Sequence, residues 1–318
     1  MPRSICLVIM FAVCALASAG VNSERAGAAF SSRTLSTADG PPRIVPAGGG
    51  STPGDGVWRA LTYPVSGGAP ALFTTFHPDP RSPGLVAYVG WFDRRRTQLG
   101  LYPGLQEPPS VATRGSGSVP HDQRWRLLAT FNGGFKAAAG AGGFVVNGHV
   151  DVPLQPGLAT IVEKRDRSLQ IVRWTNQFPS ASLILARQNL LPLVWNGAAG
   201  AVVAEPWRWG ATLHGVPTVW RTAIGLTARG DLVYVAAPDQ TAASLAAIMV
   251  RVGAVRALEL DINPEWPSLI TYRHRGGRDP VAVVPNPQQS PYRYLVPDNR
   301  DFFAVYARPG GASSVPLG

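Results

Sequence analysis

Short runs rich in β-branched and aromatic residues, separated by Gly, Pro, Asn and Asp, recur from Trp58 to about Arg308. That rhythm predicts strands joined by turns. The predicted strands are Ala71–Phe76, Leu85–Phe92, Arg126–Phe131, Gly143–Val146, Ala159–Val162, Leu169–Trp174, Thr222–Leu226 and Leu232–Ala236. Only Thr241–Val252 carries a helical period. Thr241 can cap it, Gly253 can end it, and Leu245, Ile248, Met249 and Val252 form one apolar stripe that reads as core. A further strand is expected over Val255–Ile262. Many strands with few helices make the class α+β: a single β-rich mixed domain without internal repeats.

The pattern changes at both ends. Residues 1–19 read as a secretory signal peptide: Arg3 supplies a positive start, Ile5–Ala17 an apolar run of about 13 residues, and Ala17-Ser-Ala19 a small-x-small cleavage site. The rival is an uncleaved anchor, for which the run is shorter than the roughly 20 residues a spanning helix needs. Residues 20–57, rich in Ala, Gly, Ser, Thr and Pro, read as a flexible linker that cannot bury enough apolar surface to order itself. Residues 58–308 form the expected domain, and 309–318 a loose Gly/Ser/Pro tail. Secretion or association with the cell envelope follows, with no membrane contact after signal removal.

Cysteine and charge then narrow the chemistry. Both cysteines, Cys6 and Cys14, fall in the leader, so the mature chain has no disulfide and no cysteine-based metal site. Lys plus Arg number 29 against 19 Asp plus Glu; without Arg3 the balance is 28 to 19. Lys136 and Lys164 are the only lysines, so nearly all of the charge is arginine. Such a surplus suits a phosphate-bearing partner. The sequence carries no zinc-finger, homeodomain or RNA-recognition pattern, which argues against nucleic acid. Nor does it contain a nucleophile-elbow, phosphate-loop, EF-hand or zinc-hydrolase motif.

Three stretches carry candidate chemistry. In Arg256-Ala-Leu-Glu-Leu-Asp-Ile-Asn263 alternate side chains share a face, which sends Leu258, Leu260 and Ile262 to the core and groups Glu259, Asp261 and Asn263 opposite. Two carboxylates at that spacing sit roughly 6.6–6.8 Å apart at Cα, within range of paired acid and base work. The alternative is an ordinary strand with charges turned to solvent. Ala129-Thr-Phe-Asn-Gly-Gly-Phe-Lys136 runs a strand into a turn that can offer Asn132, the backbone of Gly133 and Gly134, and Lys136 to an anion. In Trp220-Arg-Thr-Ala-Ile-Gly225, Arg221 can grip phosphate bidentately or pair with Glu259 or Asp261. Asn189, His214 and Trp266 are weaker candidates for substrate contact.

In order along the chain, Ala129-Thr-Phe-Asn-Gly-Gly-Phe135, Trp220-Arg-Thr-Ala-Ile-Gly-Leu226, the helix from Ser244 and Ala257-Leu-Glu-Leu-Asp261 resemble the phosphodiester glycosidase family. The resemblance covers roughly residues 58–308 and is closest to secreted actinobacterial members. It implies hydrolysis of a sugar-1-phosphodiester bond, with Asn132, Gly133, Gly134, Arg221 and Asp261 as site positions; Glu259, from the strand alternation, would share the proton work with Asp261. Where better-known members follow the aspartate with Gly-Gly-Gly-Ser-Ser, this chain has Ile-Asn-Pro-Glu-Trp266, so the glycine-rich pocket is missing or rebuilt. Lys136 stands where an aromatic is usual. The expected partner is a sugar phosphodiester or an anionic envelope glycopolymer, without cofactor. One alternative is a calcium ion held by Glu259, Asp261 and Asn263; another is a non-catalytic glycan-binding domain on the same scaffold.

Overall fold

The computed structural model describes residues 40–46, 52–65, 68–109, 111–212 and 215–309. The leader, most of the linker, His214 and the tail beyond Pro309 lie outside them. Three antiparallel sheets make up the body. The largest has seven strands in the order β1 (Ala71–Phe76), β2 (Ala87–Phe92), β13 (Leu232–Gln240), β12 (Val219–Thr227), β14 (Ala254–Glu259), β10 (Pro192–Trp195) and β11 (Ala198–Ala199). A second is ordered β16 (Arg278–Ala282), β15 (Leu269–His274), β4 (Leu127–Asn132), β17 (Phe302–Ala307) and β3 (Thr97–Tyr102). The third is β6 (His149–Val152), β5 (Phe144–Val146), β9 (Leu183–Gln188), β7 (Ala159–Lys164) and β8 (Leu169–Arg173). The α+β, β-rich class is as expected.

The one α-helix among the described residues, α1 (Ala242–Arg251), starts from a capping box in which Thr241 Oγ1 accepts from the Ser244 amide while Ser244 Oγ accepts from the Thr241 amide. Its apolar stripe is buried. Leu245, Ile248 and Met249 pack with Val233, Val235, Ala223 and Ala257 on one face of the large sheet. The other face of that sheet meets the remaining two sheets. Phe73, Phe92, Ile224 and Leu258 join Phe131 and Phe303 of the second sheet and Phe144 and Ile161 of the third in one core. Phe131 stacks on Phe303 at 5.2 Å and tilts against Tyr234 at 4.9 Å between ring centres.

Two expectations are corrected here. The strand read over Val255–Ile262 ends at Glu259, and its second face is covered by α1 instead of facing a site or solvent. The last part of the stretch read as linker packs on the body. Ile44 is buried among the α1-side residues, and the Gly56 carbonyl and amide bond Ile44 and Thr75. One buried isoleucine with paired backbone on either side gives this glycine-rich stretch the anchor its composition conceals.

Candidate active site

Asn132, Arg221, Glu259 and Asp261 collect where β4 and β14 end and β12 begins. Asn132 closes β4 with both amide nitrogen protons and both oxygen lone pairs engaged. Its Nδ2 donates to Thr222 Oγ1 at 3.0 Å and to the Gly133 carbonyl at 2.9 Å. Its Oδ1 accepts from Tyr234 OH at 2.7 Å and from the Ser268 amide at 3.3 Å. Thr222 Oγ1 in turn spans the Asp261 backbone, accepting from its amide at 2.9 Å and donating to its carbonyl at 3.1 Å. Asn132 thus clasps β4 to β12 and to the Asp261 segment, where the sequence suggested contact with substrate.

Four ion pairs surround this clasp, and three of them are buried on both sides. Arg221 Nη1 donates to Glu259 Oε1 at 2.6 Å, while its Nε serves the Gln240 carbonyl. Arg300 Nη2 donates to Asp261 Oδ2 at 2.8 Å and to the Gly134 carbonyl at 2.8 Å. Arg187 grips Asp301 through Nε at 2.9 Å and Nη2 at 3.4 Å, and also bonds the Phe135 and Gln188 carbonyls. Arg293 grips Asp298 with Nε and Nη2, and donates Nη1 to the Trp266 carbonyl. Trp266 lies half-buried with Arg293 and Arg300 at 5.3 and 5.0 Å from its ring centre. Arg221 is therefore the partner of Glu259 in this state and does not offer a free fork to phosphate.

The carboxylates are unlike ordinary surface acids. Glu259 is 0% exposed, and only one of its oxygens is bonded; Oε2 is buried with no partner. Burial pushes its pKa up to about 7, Arg221 pulling the other way and the nearby Asp261 charge adding to the rise. Burial likewise raises Asp261, against the opposing pull of Arg300 and of the Ile262 and Asn263 amides. Those two amides bond Asp261 Oδ1 at 2.8 and 2.9 Å. The sequence Ile-Asn after Asp261 thus turns its backbone donors onto the aspartate itself.

Within the Asn132–Lys136 turn, two backbone amides are already engaged. The Gly133 amide is held by the Asp301 carbonyl, and the Phe135 amide by Asn189 Oδ1 at 3.0 Å. Asn189 Nδ2 reaches the carbonyls of Glu259 and Leu260, both at 2.8 Å, so this residue ties the turn to the end of β14. Lys136 and Asn263 are exposed and stand outside the buried network. Asn263 Oδ1 accepts from the Glu265 amide. Glu259, Asp261 and Asn263 therefore face three different partners and do not form the oxygen cluster that a calcium ion would need; no metal-holding cluster of acids and histidines occurs among the described residues. Phe135, Ile262 and Ala141 form a small buried apolar cluster against which Gly210 packs. Beside it, a cleft of about 930 Å³ is bordered by Thr218, Asp239 and Gln240.

Arg300 and Asp301 escaped the sequence reading. They precede β17, whose Phe-Phe-Ala-Val-Tyr-Ala run is an evident strand signal, and a charged pair at the entrance of a buried strand is the mark that would have found them. Gly133 adjoins Asp301 so closely that a Cβ there would come within 2.5 Å of the Asp301 carbonyl oxygen. Gly133→Ala is accordingly expected to cost at least about 2 kcal/mol in denaturant unfolding. A loss under half of that would mean that the turn yields easily.

The chain was compared with known proteins. No protein-family model and no curated protein matches it. Among solved structures, the zebrafish N-acetylglucosamine-1-phosphodiester alpha-N-acetylglucosaminidase catalytic domain, auto-inhibited by its pro-peptide, aligns over 79% of this chain and 88% of that one, with a TM-score of 0.52 and 15% identity. A hypothetical protein from Synechocystis aligns over 70% of this chain and 59% of that one, with a TM-score of 0.40 and 14% identity. The first likeness is one of fold.

Proposed function

We propose that the protein is a secreted hydrolase that cleaves sugar-1-phosphodiester bonds in a cell-envelope glycopolymer. The observation that carries this reading is Glu259, a fully buried carboxyl lifted to about 7, with one oxygen unpaired and a second carboxyl, Asp261, two residues on. Buried carboxyls with strongly raised pKa values cluster at sites of proton transfer. The glycosidase named among the fold neighbours adds the substrate class.

A phosphodiester leaves as an already stable anion, so the reaction needs a base more than an acid. In this reading Glu259 takes the proton of a water whose oxygen attacks the anomeric carbon. The bond from that carbon to the phosphate oxygen breaks, and its electron pair leaves on the phosphate. Asp261 stabilises the positive charge that develops on the sugar ring. Both carboxyls are buried in this structure, so substrate must first open a way to them.

A panel of sugar-1-phosphodiesters tests the reading. Wild type is expected to release free sugar at a rate that climbs between pH 6 and pH 8 as Glu259 ionises. Glu259→Gln should lower the rate by about 10²–10⁴-fold, the usual contribution of a positioned base. Full activity in Asp261→Ala would remove the role given to Asp261. The burial of both carboxyls and the self-capped Asp261 favour a second reading, a domain that holds envelope phosphoglycan without cutting it. Retention on purified cell wall with no sugar released would select that reading.

A further inference from the structure

The buried arginines beside Asn132 are matched one for one by carboxylates, and the arginine surplus appears elsewhere. β12 runs about 20 Å from Arg221 to Thr227. Its far end, where Leu226 pairs with Arg256 of β14, opens on a chain of connected clefts. The first, about 660 Å³, is lined by Arg94, Arg95, Arg167, Arg229 and Arg308 against only Asp166 and Asp231. A second, about 670 Å³, shares Arg94 and Arg229 with it and adds Arg256 and Trp195. A third, about 320 Å³, shares Trp195 and adds Arg173 and Arg208.

The two aspartates are already engaged. Asp231 is buried and accepts from Arg229 at 3.3 Å and from the Arg94 amide at 3.2 Å; Asp166 accepts from Ser168 and pairs with Lys164 at 3.2 Å. Arg95, Arg167 and Arg208 have salt bridges to Asp93, Glu163 and Glu205. Arg94, Arg173, Arg256 and Arg308 have no salt bridge to a described residue. Guanidinium groups that line one cleft repel one another, and a run of them along connected clefts is stabilised by a run of negative charges laid across it.

We infer that this groove, which starts from the end of β12 away from Arg221, binds a phosphodiester-linked polymer along its length through Arg94, Arg173, Arg256 and Arg308. The ligand is a polymer because the clefts are continuous and shallow and do not form one enclosed pocket. Nucleic acid fits less well. Single strands are held by aromatic platforms under the bases, and the aromatic shared by the second and third clefts, Trp195, is already covered by the Arg256 guanidinium at 3.9 Å from its ring centre. Recognition is of backbone phosphates, and it holds whether or not the buried carboxyls turn over.

Fluorescence anisotropy of a labelled poly(glycerol phosphate) chain with the full-length protein tests this. Wild type should bind, and its affinity should fall steeply with salt as counterions are displaced. Arg94→Glu/Arg256→Glu should weaken binding at least about 10-fold and flatten the salt slope, and Arg94→Gln/Arg256→Gln should do so to a lesser degree. Arg59→Glu/Arg278→Glu makes the same change in net charge at exposed positions outside the groove, and should leave affinity within about 2-fold. Equal weakening by the two Glu pairs, no binding by wild type, or tighter binding of a thymidine oligonucleotide of equal phosphate count would each overturn the inference.

Discussion

Arg187→Met is expected to lower the unfolding free energy by about 3–5 kcal/mol, the cost of stranding a buried charge. Arg187 and Asp301 are both buried, and the guanidinium bonds both carboxylate oxygens and two or more backbone carbonyls of the Phe135 and Gln188 stretches. Methionine fills much of the volume yet leaves the carboxylate without a counterion and those carbonyls without a donor. Adding Asp301→Asn should recover part of the loss, since an amide costs less to bury than a carboxylate. Urea titration at pH 7, with the slope unchanged, measures both steps. A single-variant loss below about 1 kcal/mol would show the pair to be incidental, because exposed pairs alone fall in that range.

The second large effect is a stability that falls as pH rises. The Glu259 carboxyl is raised from an ordinary 4.5 to about 7 by burial. The folded state therefore holds a proton that the unfolded chain gives up between those values. Its contribution is complete below pH 4.5 and is lost as pH rises through about 7. Asp261 and Glu163, both raised by burial, act with the same sign. Glu259→Gln isolates the one residue, since glutamine stands in for the protonated acid at every pH. The unfolding free energies of wild type and variant should diverge by about 2–3 kcal/mol between pH 5 and pH 8, with the variant the more stable at the alkaline end. Parallel curves would mean that Arg221 keeps Glu259 ionised throughout, and the base assigned above would then lose its tuning.

Much of the architecture was legible because it is written locally. Ala71–Phe76 is a strand because Leu-Phe-Thr-Thr-Phe fits a pleated, half-buried surface, and α1 is a helix because Thr241 and Ser244 can cap each other ahead of a 3.6-residue apolar stripe. Asn132, Arg221, Glu259 and Asp261 were singled out because a strand that ends in glycine, or in alternating acids, stands out against its neighbours, and the structure brings them into one buried network. Asn263, placed by strand alternation with Glu259 and Asp261, and Lys136, placed as a cation at the Asn-Gly-Gly turn, both stand exposed, outside the network. Sequence adjacency says nothing of which way a turn points its side chains.

What the sequence determined by itself is the β-rich class, the helix and its core face, and the strand ends at which the polar residues gather. Tertiary structure alone decided how those residues are spent. It brought Arg300 and Asp301 to them from the entrance of β17, closed each acid with an arginine, and gave Glu259 a helix-covered face in place of an open one. The physical reason is that periodicity states which residues share a face, whereas burial, and with it a carboxyl's acidity and its partner, depends on what arrives from distant parts of the chain to cover that face.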